Sequence, residues 1–219
     1  MALVPVRGPW QTVRMSDAIR EYWDGEATDF DREADHGLLD PGVRRAWAEL
    51  ILPLIPLPGS EVADLGCGTG SLSLLLAEAG HRVRGLDLSG RMVDAARAKA
   101  ADAAKAAGAG HPPAVEFRQG DASEPPYPPA GFDVVLARHV LWALPDPGAA
   151  LGRWTRLLRG PGTMVLVEGL WGTGAGIPSA ECRELVLRHR RHADVVPLTD
   201  PALWGKEISD ERYLILSSS

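Results

Sequence analysis

Cysteine is scarce: the 219 residues contain two, Cys67 and Cys182, too few for a disulfide framework and too far apart for a zinc-type ligand set. An excess of basic charge is missing as well. Lys and Arg number 23 against 29 Asp and Glu, a formal charge of −6, which disfavours a protein that holds a phosphate backbone by charge. No long apolar run occurs: the longest helix-like stretch, residues 89–107, is rich in alanine but studded with Arg, Lys and Asp, so no membrane span is expected. The opening MALVPVRGPW has neither a sustained apolar core nor a cleavage site; a secretory leader is therefore not expected, and a cytoplasmic location is. Internal repeats at a fixed period are also lacking. What is present is an ordinary globular balance, 45% hydrophobic and 24% charged residues, at a length that suits one generous domain.

From residue 61 onward, short apolar runs alternate with helix-like segments. The runs Glu61–Leu65, Arg82–Asp87, Ala114–Gln119, Phe132–Ala137 and Thr163–Glu168 are too short for ordinary helices and read as buried strands. Helices are expected at Ser71–Ala79, Ser89–Ala107, Gly148–Arg159 and Ser179–His192. Ser89 suits the N-cap of the second, and Gly108 with Pro112 beyond it stops that helix. Repeated βα units imply a parallel sheet with helices on both faces. Ahead of the first strand, Met15–Glu26 and Pro41–Ile55 carry helical patterns around the polar stretch Ala27–Leu39, and the proline-punctuated Leu52–Gly59 leads into the sheet. Asp194–Leu198 and Arg212–Ser217 are expected as two strands joined by a short loop, a closing hairpin. The expected organisation is a helical cap over residues 1–58 and a core over 59–219, within one structural domain.

Ligands of an open α/β sheet bind outside the carboxyl ends of its strands, so the residues after each strand are the candidates. The first strand runs into Asp64-Leu65-Gly66-Cys67-Gly68-Thr69-Gly70 and then a helix. Three glycines at alternate positions allow a tight turn and a close backbone approach, and the helix start offers free N–H groups to an anion. Asp87 follows the second strand, 17 residues past Gly70, where a carboxylate can accept both hydroxyls of a ribose. Gly120-Asp121-Ala122 follows the third, Arg138-His139 the fourth, and the fifth ends at Glu168. Glycine loops also serve as purely structural turns; a loop with two further acids in register implies a nucleotide-like ligand. Asp64, Asp87, Asp121 and Glu168 on one rim would repel a pyrophosphate, and Ser71 stands where the dinucleotide pattern needs its third glycine. The same rim would welcome an ammonium, a sulfonium, a ribose diol and an aminopurine. S-adenosyl-L-methionine fits that list, with its carboxylate on the loop N–H groups.

VADLGCGTG (62–70), GLDLS (85–89), QGDA (119–122) and FDVVLARHVLWALPDP (132–147) resemble the successive motifs of class I S-adenosylmethionine-dependent methyltransferases, over about residues 60–170. The last stretch is similar to the ubiquinone/menaquinone-methylase-like group, which acts on small molecules. The resemblance implies a Rossmann-like, seven-stranded, mostly parallel sheet with helices on both faces, an N-terminal helical cap and an antiparallel last strand supplied by Arg212–Ser217. It also implies S-adenosyl-L-methionine as cofactor and S-adenosyl-L-homocysteine as product. It places Gly66, Cys67, Gly68 and Gly70 under the methionine part and Asp64 near its ammonium. Asp87, with Leu88 beside it, falls on the ribose hydroxyls. Gly120 and Asp121 fall at the adenine amino group, Ala122 packs on the ring and Met92 pads it. Arg138 is expected to pair with a rim carboxylate or with the cofactor carboxylate. Two subclasses are disfavoured. The Asp/Asn-Pro-Pro-Tyr/Phe signature of amino-methylating DNA enzymes is absent where Ala137-Arg138-His139-Val140 stands, and a cytosine-carbon methylase needs a Cys nucleophile beyond the fourth strand, whereas Cys67 lies in the glycine loop. Cys67, inside the glycine loop, reads as a small buried thiol.

Methyl transfer from a sulfonium requires alignment, exclusion of water and, for a hydroxyl or protonated amine, a proton acceptor; no metal is required. His139 is the leading base candidate because it follows the fourth strand; its alternative is an aromatic that packs under the cap or orients the cofactor. His36, in Asp35-His36-Gly37, could enter the site as the cap closes, or could be a surface-loop histidine. His81 and His111 fall in turns, and His189 and His192 in a basic run (188–192) that reads as a solvated helix face. Seven Trp stand against three Phe and three Tyr. Tyr22, Trp23, Trp142 and Trp171 are candidates for lining an apolar acceptor pocket, with core packing as the plain alternative, and Gly172–Gly176 for a hinge beside it. The expectation is methyl transfer to oxygen or nitrogen of a small, apolar or aromatic metabolite, without nucleic-acid or membrane partners, and with exposed cap helices that leave room for a homodimer. A protein that binds the cofactor without methyl transfer, or uses it for another reaction such as a rearrangement, remains an alternative. So does a nicotinamide-dependent oxidoreductase, which Ser71 and the acidic rim oppose.

Overall fold

Residues on successive strand positions of this chain serve two different apolar layers, and that alternation sets the architecture. A computed structural model describes residues 9–33, 35–108 and 112–218, with the side chains of 9–16 left out; His111 lies outside the described residues. Seven strands form one sheet: β1 (Glu61–Leu65), β2 (Arg82–Asp87), β3 (Val115–Gln119), β4 (Phe132–Arg138), β5 (Leu158–Leu170), β6 (Asp194–Pro197) and β7 (Glu211–Ser217). Their order is β3-β2-β1-β4-β5-β7-β6, with β1 to β5 parallel and β7 antiparallel to both neighbours. Among the described residues six α-helices accompany them: α1 (Pro9–Glu26), α2 (Pro41–Ile51), α3 (Ser71–Glu78), α4 (Gly90–Ala107), α5 (Pro147–Leu157) and α6 (Ser179–Leu187). Val134, Leu136, Val165 and Val167 pack against α2 and α3, whereas Val135, Ala137, Met164 and Leu166 share the opposite layer with α5 and α6 residues. A Val-rich strand buried on both faces is what a parallel sheet covered by helices demands.

Local chemistry fixes the helix starts. Asp40 accepts from Gly42 N and Val43 N ahead of α2, with Pro41 at the first helical position. Ser89 accepts from Met92 N to cap α4, which ends at Gly108 with φ +58°, and Asp146 caps α5 through Ala149 N. Among the described residues no helix is long and apolar enough to cross a membrane.

Three expectations change. β5 extends over 13 residues because Leu158 pairs with Phe132 and Met164–Leu170 pair with β7. α6 stops at Leu187, before the basic run. β6 and β7 pair as expected, but the loop between them is not short: residues 198–210 hold a 3-10 turn at Pro201–Leu203 and the buried Trp204. That connection fastens the N-terminal helices to the sheet. Trp47 of α2, 1% exposed, donates from Nε1 to Leu203 O at 2.7 Å and meets Trp204 edge-on at 5.5 Å. Trp47→Ala is expected to cost about 3–5 kcal/mol of stability. Trp47→Phe, which leaves the Leu203 carbonyl unsatisfied, is expected to cost about 1–3 kcal/mol. Urea unfolding of the two variants against the wild type checks this order.

Candidate functional site

The strand order reverses direction between β1 and β4, which opens a crevice at their carboxyl ends. β1 runs into the glycine loop, where Gly66, Gly68 and Gly70 all have φ between +54° and +77°. At Gly66 the requirement is double, since a Cβ there would stand 2.2 Å from Val140 Cγ2 in the turn after β4. Asp64, at 3% exposure, accepts from Ser73 Oγ, and burial raises its pKa to about 6; among the described residues no cation lies within ion-pair distance. Asp87 accepts from Gly68 N at 2.8 Å and Ser89 N at 2.9 Å, with burial pushing its pKa up. Cys67 is half-buried, and burial beside Asp64 and Asp87 holds its thiol far above the usual range, hence protonated. Farther along the rim, Gln119 Nε2 donates to Leu88 O, Met92 is buried, and Ala122 O accepts from Trp154 Nε1. Gly120 is half-buried beside the exposed Asp121, whose carboxylate accepts from Ser123 N.

Residues 24–33 and 35–37 form a strap across this rim. Asp24, in α1, accepts from Ser89 Oγ and Arg91 N at the start of α4. The Phe30 ring lies on the glycine loop, 2.9 Å from where a Gly68 Cβ would be. Asp31 accepts from Thr69 Oγ1 (2.6 Å), Ser71 Oγ (3.1 Å) and Lys99 Nζ (2.7 Å). Burial works against its charge, but these bonds outweigh it and hold the carboxyl below its ordinary range. Gly37 is obligatory in the strap, because a Cβ would fall 1.7 Å from Asp31 O. Within the polar stretch Ala27–Leu39 the sequence singles out His36 alone as a site candidate; Asp31, like Lys99 outside the stretch, carries no motif, and Asp35 stands there only as the neighbour of His36.

Arg138, at the end of β4, is not paired with a rim carboxylate. Its guanidinium donates to His36 O and lies 4.9 Å from the Trp47 ring, and among the described residues no carboxylate stands within ion-pair distance. Burial lowers its pKa to about 10, still high enough to keep the charge.

His139 follows with φ +59°, its N–H on Val167 O at 2.8 Å. Its ring lies between Trp171, edge-on at 5.1 Å, and Trp204, stacked at 5.9 Å, with His36 6.1 Å away. Neither Nδ1 nor Nε2 has a hydrogen-bond partner among the described residues. Burial, then Arg138, hold its pKa well below 6.5, so the imidazole is neutral. His36 stacks on Phe30 at 4.5 Å, and burial lowers it to about 4; it is part of the strap, not a surface-loop residue. Trp142 donates from Nε1 to His139 O and lies 5.3 Å from Trp171. Trp23 meets Phe30 and His36 edge-on, whereas Tyr22, 51% exposed, touches the edge of Trp23 and is not gathered into the aromatic cluster.

Other placements differ from expectation. Glu168 is not on the rim: it is fully buried, and its Oε1 accepts from Val140 N (3.0 Å) and Leu141 N (2.7 Å) beneath the turn that carries His139. Residues 172–176 are not an open hinge but a bonded turn, with Trp171 N on Ala175 O, Gly174 N on Trp171 O and Gly176 bridged to Leu170. His81 is buried at the end of the α3–β2 connection with Nδ1 unpartnered. Arg212 and Trp204, absent from the sequence-based set, complete the cluster. The Arg212 guanidinium lies 4.7 Å from the Trp204 ring and 5.6 Å from Trp171, and bonds Asp210 through Nε (2.8 Å) and Nη2 (3.1 Å).

Burial raises the Glu168 pKa to about 8, against 4.5 in an unfolded chain. The folded protein therefore holds a proton that the unfolded chain releases, and stability from this group is complete below the unfolded value and lost as pH rises toward 8. Wild type is expected to lose stability relative to Glu168→Gln between pH 5 and pH 8, the difference levelling above that; denaturant midpoints across this range check it.

Residues 63–166 match the model of a family described as a methyltransferase domain. The chain is 37% identical over 179 residues to nocamycin O-methyltransferase of Saccharothrix syringae, covering 78% of this chain and 58% of that protein. It spans about half the length of the curated relatives it matches. Among solved structures, the 4+2 cyclase SpnF aligns with a TM-score of 0.73 at 20% identity, covering 93% of this chain and 96% of that one. Magnesium protoporphyrin IX methyltransferase from Synechocystis PCC 6803 aligns with 0.68 at 22%, covering 94% and 97%. These structural likenesses establish the fold: the seven-stranded, mostly parallel, Rossmann-like sheet expected from the sequence.

Proposed function

We propose, for a chain whose core belongs to the methyltransferase-domain family, that it transfers the methyl group of S-adenosyl-L-methionine to an oxygen or nitrogen of a small, apolar or aromatic molecule. The observation that carries the reading is a neutral, unpartnered His139 imidazole among tryptophans, set where the β4 turn abuts the glycine loop. Residues 1–58 act in this reading as the cap over a core of 59–219.

The residues present suit the cofactor on one structural ground. Arg138 and Asp64, at the ends of neighbouring strands, feel each other's charge, yet among the described residues neither has an opposite charge within ion-pair distance. Charges left so are stabilised by a zwitterion of opposite polarity, the amino-acid end of S-adenosyl-L-methionine. Arg138 would take its carboxylate and Asp64 its ammonium, over Gly66, Cys67, Gly68 and Gly70. Asp87, oriented by the two backbone N–H groups it accepts from, keeps further lone pairs for the ribose hydroxyls. Leu88, Met92, Gly120, Asp121 and Ala122 line the adenine side. When bound, the cofactor supplies an electrophilic methyl on a sulfonium. The strap and the cap exclude water from the crevice, and Trp142, Trp171 and Trp23 hold an apolar acceptor against it. His139 takes the proton of an acceptor hydroxyl or ammonium on a ring nitrogen that no described residue occupies. His36, equally neutral, faces it across 6.1 Å as the second proton-accepting group.

Calorimetric titration with S-adenosylmethionine, S-adenosylhomocysteine and NAD tests the reading. Micromolar binding of both adenosyl compounds and none of NAD is expected, with Asp87→Ala weakening them about tenfold or more. Binding of NAD alone, or an unchanged Asp87→Ala affinity, contradicts it. His139→Ala is expected to lower turnover about 100-fold or more while leaving S-adenosylhomocysteine binding intact; full activity across pH would remove it as the base.

A further inference from the structure

Outside the proposed cofactor contacts, the structure leaves a second set of buried polar atoms without partners, and two of them are neighbours. Arg212 rises from β7 with its side chain 3% exposed, and its Nε and Nη2 are used by Asp210. Its Nη1 has no partner among the described residues. Asp35, from the strap, places Oδ2 3.5 Å from Arg212 Nη2 and 3.2 Å from Lys206 Nζ, and its buried Oδ1 is equally without a partner. The side chains that carry this donor and this acceptor thus meet through Nη2 and Oδ2, one on the sheet and one on the strap, and each unmade bond is costly in a water-poor site. The rings that hold Arg212, Trp171 and Trp204, are the two that flank His139.

We infer that Arg212 and Asp35 form a donor–acceptor clamp for a hydroxyl on the methyl acceptor, with the flat apolar body of that molecule among Trp171, Trp204 and His139. The inference rests on the methyltransferase reading and specifies its substrate as a phenol-like or enol-like molecule. A hydroxyl is the simplest group that accepts from Nη1 and donates to Oδ1 at once. An ether can only accept. A carboxylate would accept from Arg212 but be repelled by Asp35. The clamp is complete only when the strap is down, so acceptor recognition and closure of the site are one event.

The test is calorimetric titration with 2-naphthol, 2-methoxynaphthalene and 2-naphthoate in saturating S-adenosylhomocysteine. 2-Naphthol is expected to bind about tenfold or more tightly than the ether, the size of one bond to a charged group, and more tightly than the carboxylate. Asp35→Ala should erase the preference for naphthol over the ether. Arg212→Lys keeps a charge but not the fork that serves Asp210 and a ligand together, and should weaken naphthol and ether alike. Equal binding of naphthol and ether, tightest binding of naphthoate, no binding of any probe, or a preference that survives Asp35→Ala overturns the clamp. The wild-type comparison stands without either variant, and S-adenosylhomocysteine binding reports whether each variant is folded. Failure to bind S-adenosylhomocysteine overturns the methyltransferase reading together with the clamp, whereas binding it without a hydroxyl preference overturns the clamp alone.

Discussion

A charged group removed from water is tolerated only where something compensates it, and the carboxyl ends of β1 and β4 break that rule in a way the rest of the site is built around. Among the described residues Arg138 has a carbonyl oxygen and the face of Trp47 but no carboxylate within ion-pair distance, and Asp64 has one hydroxyl but no cation that close; each feels the other's charge only across a gap. The layers on either side are packed with Val, Leu, Ile and Trp at or near zero exposure. Glu168 completes the arrangement from below: by accepting two successive N–H groups it fixes the turn in which His139 adopts positive φ, a conformation that costs energy for a residue with a Cβ.

The strap closes the crevice mainly through acids. Asp24 holds the start of α4, Asp31 the start of α3 with Lys99, and Asp35 the Lys206–Arg212 pair, while Phe30 and His36 supply stacking. Partly exposed bonds of this kind each contribute little, so the strap lifts at far lower cost than the sheet unfolds. Its position also sets the chemistry beneath it. With the strap in this position, burial is the first cause that keeps the imidazoles of His36 and His139 unprotonated.

What the sequence revealed, and what it hid, follow from the range of the forces involved. The glycine loop, Asp87 and the Ser89 cap are dictated by residues within a few positions of one another, and β1 to β4 end within a residue or so of where the apolar runs do. Arg159-Gly160-Pro161-Gly162 has the composition of a turn, yet pairing of Leu158 with Phe132 draws it into β5. Glu168 was misplaced because a strand buried on both faces shows no polar alternation, so nothing told which face that position serves; its register with Tyr213 decides it. Trp204, Asp35 and Arg212 are legible only after β7 inserts between β5 and β6, and after the strap folds over the loop. Both events depend on contacts more than a hundred residues apart, such as Trp47 with Leu203 and Asp35 with Lys206.

That difference in range divides the site into two kinds of machinery. The proposed cofactor residues lie between 64 and 138, mostly in short connections where backbone geometry leaves no latitude: Gly66 cannot carry a side chain, and Asp87 is tied to two N–H groups. The proposed acceptor side is assembled from side chains at 35, 142, 171, 204 and 212, on the strap, the β4–α5 connection, the segments after β5 and before β7, and β7 itself, none of them in the parallel strands. A side chain exchanged there alters the chamber and leaves the crevice between β1 and β4 in place. His139 belongs to both halves: its backbone is held by Val167 and, through the next two residues, by Glu168, while its ring is held by tryptophans of the acceptor side. In the proposed reading, a proton acceptor placed at that junction keeps its position relative to the cofactor crevice while the molecule it serves is selected by side chains from elsewhere in the chain.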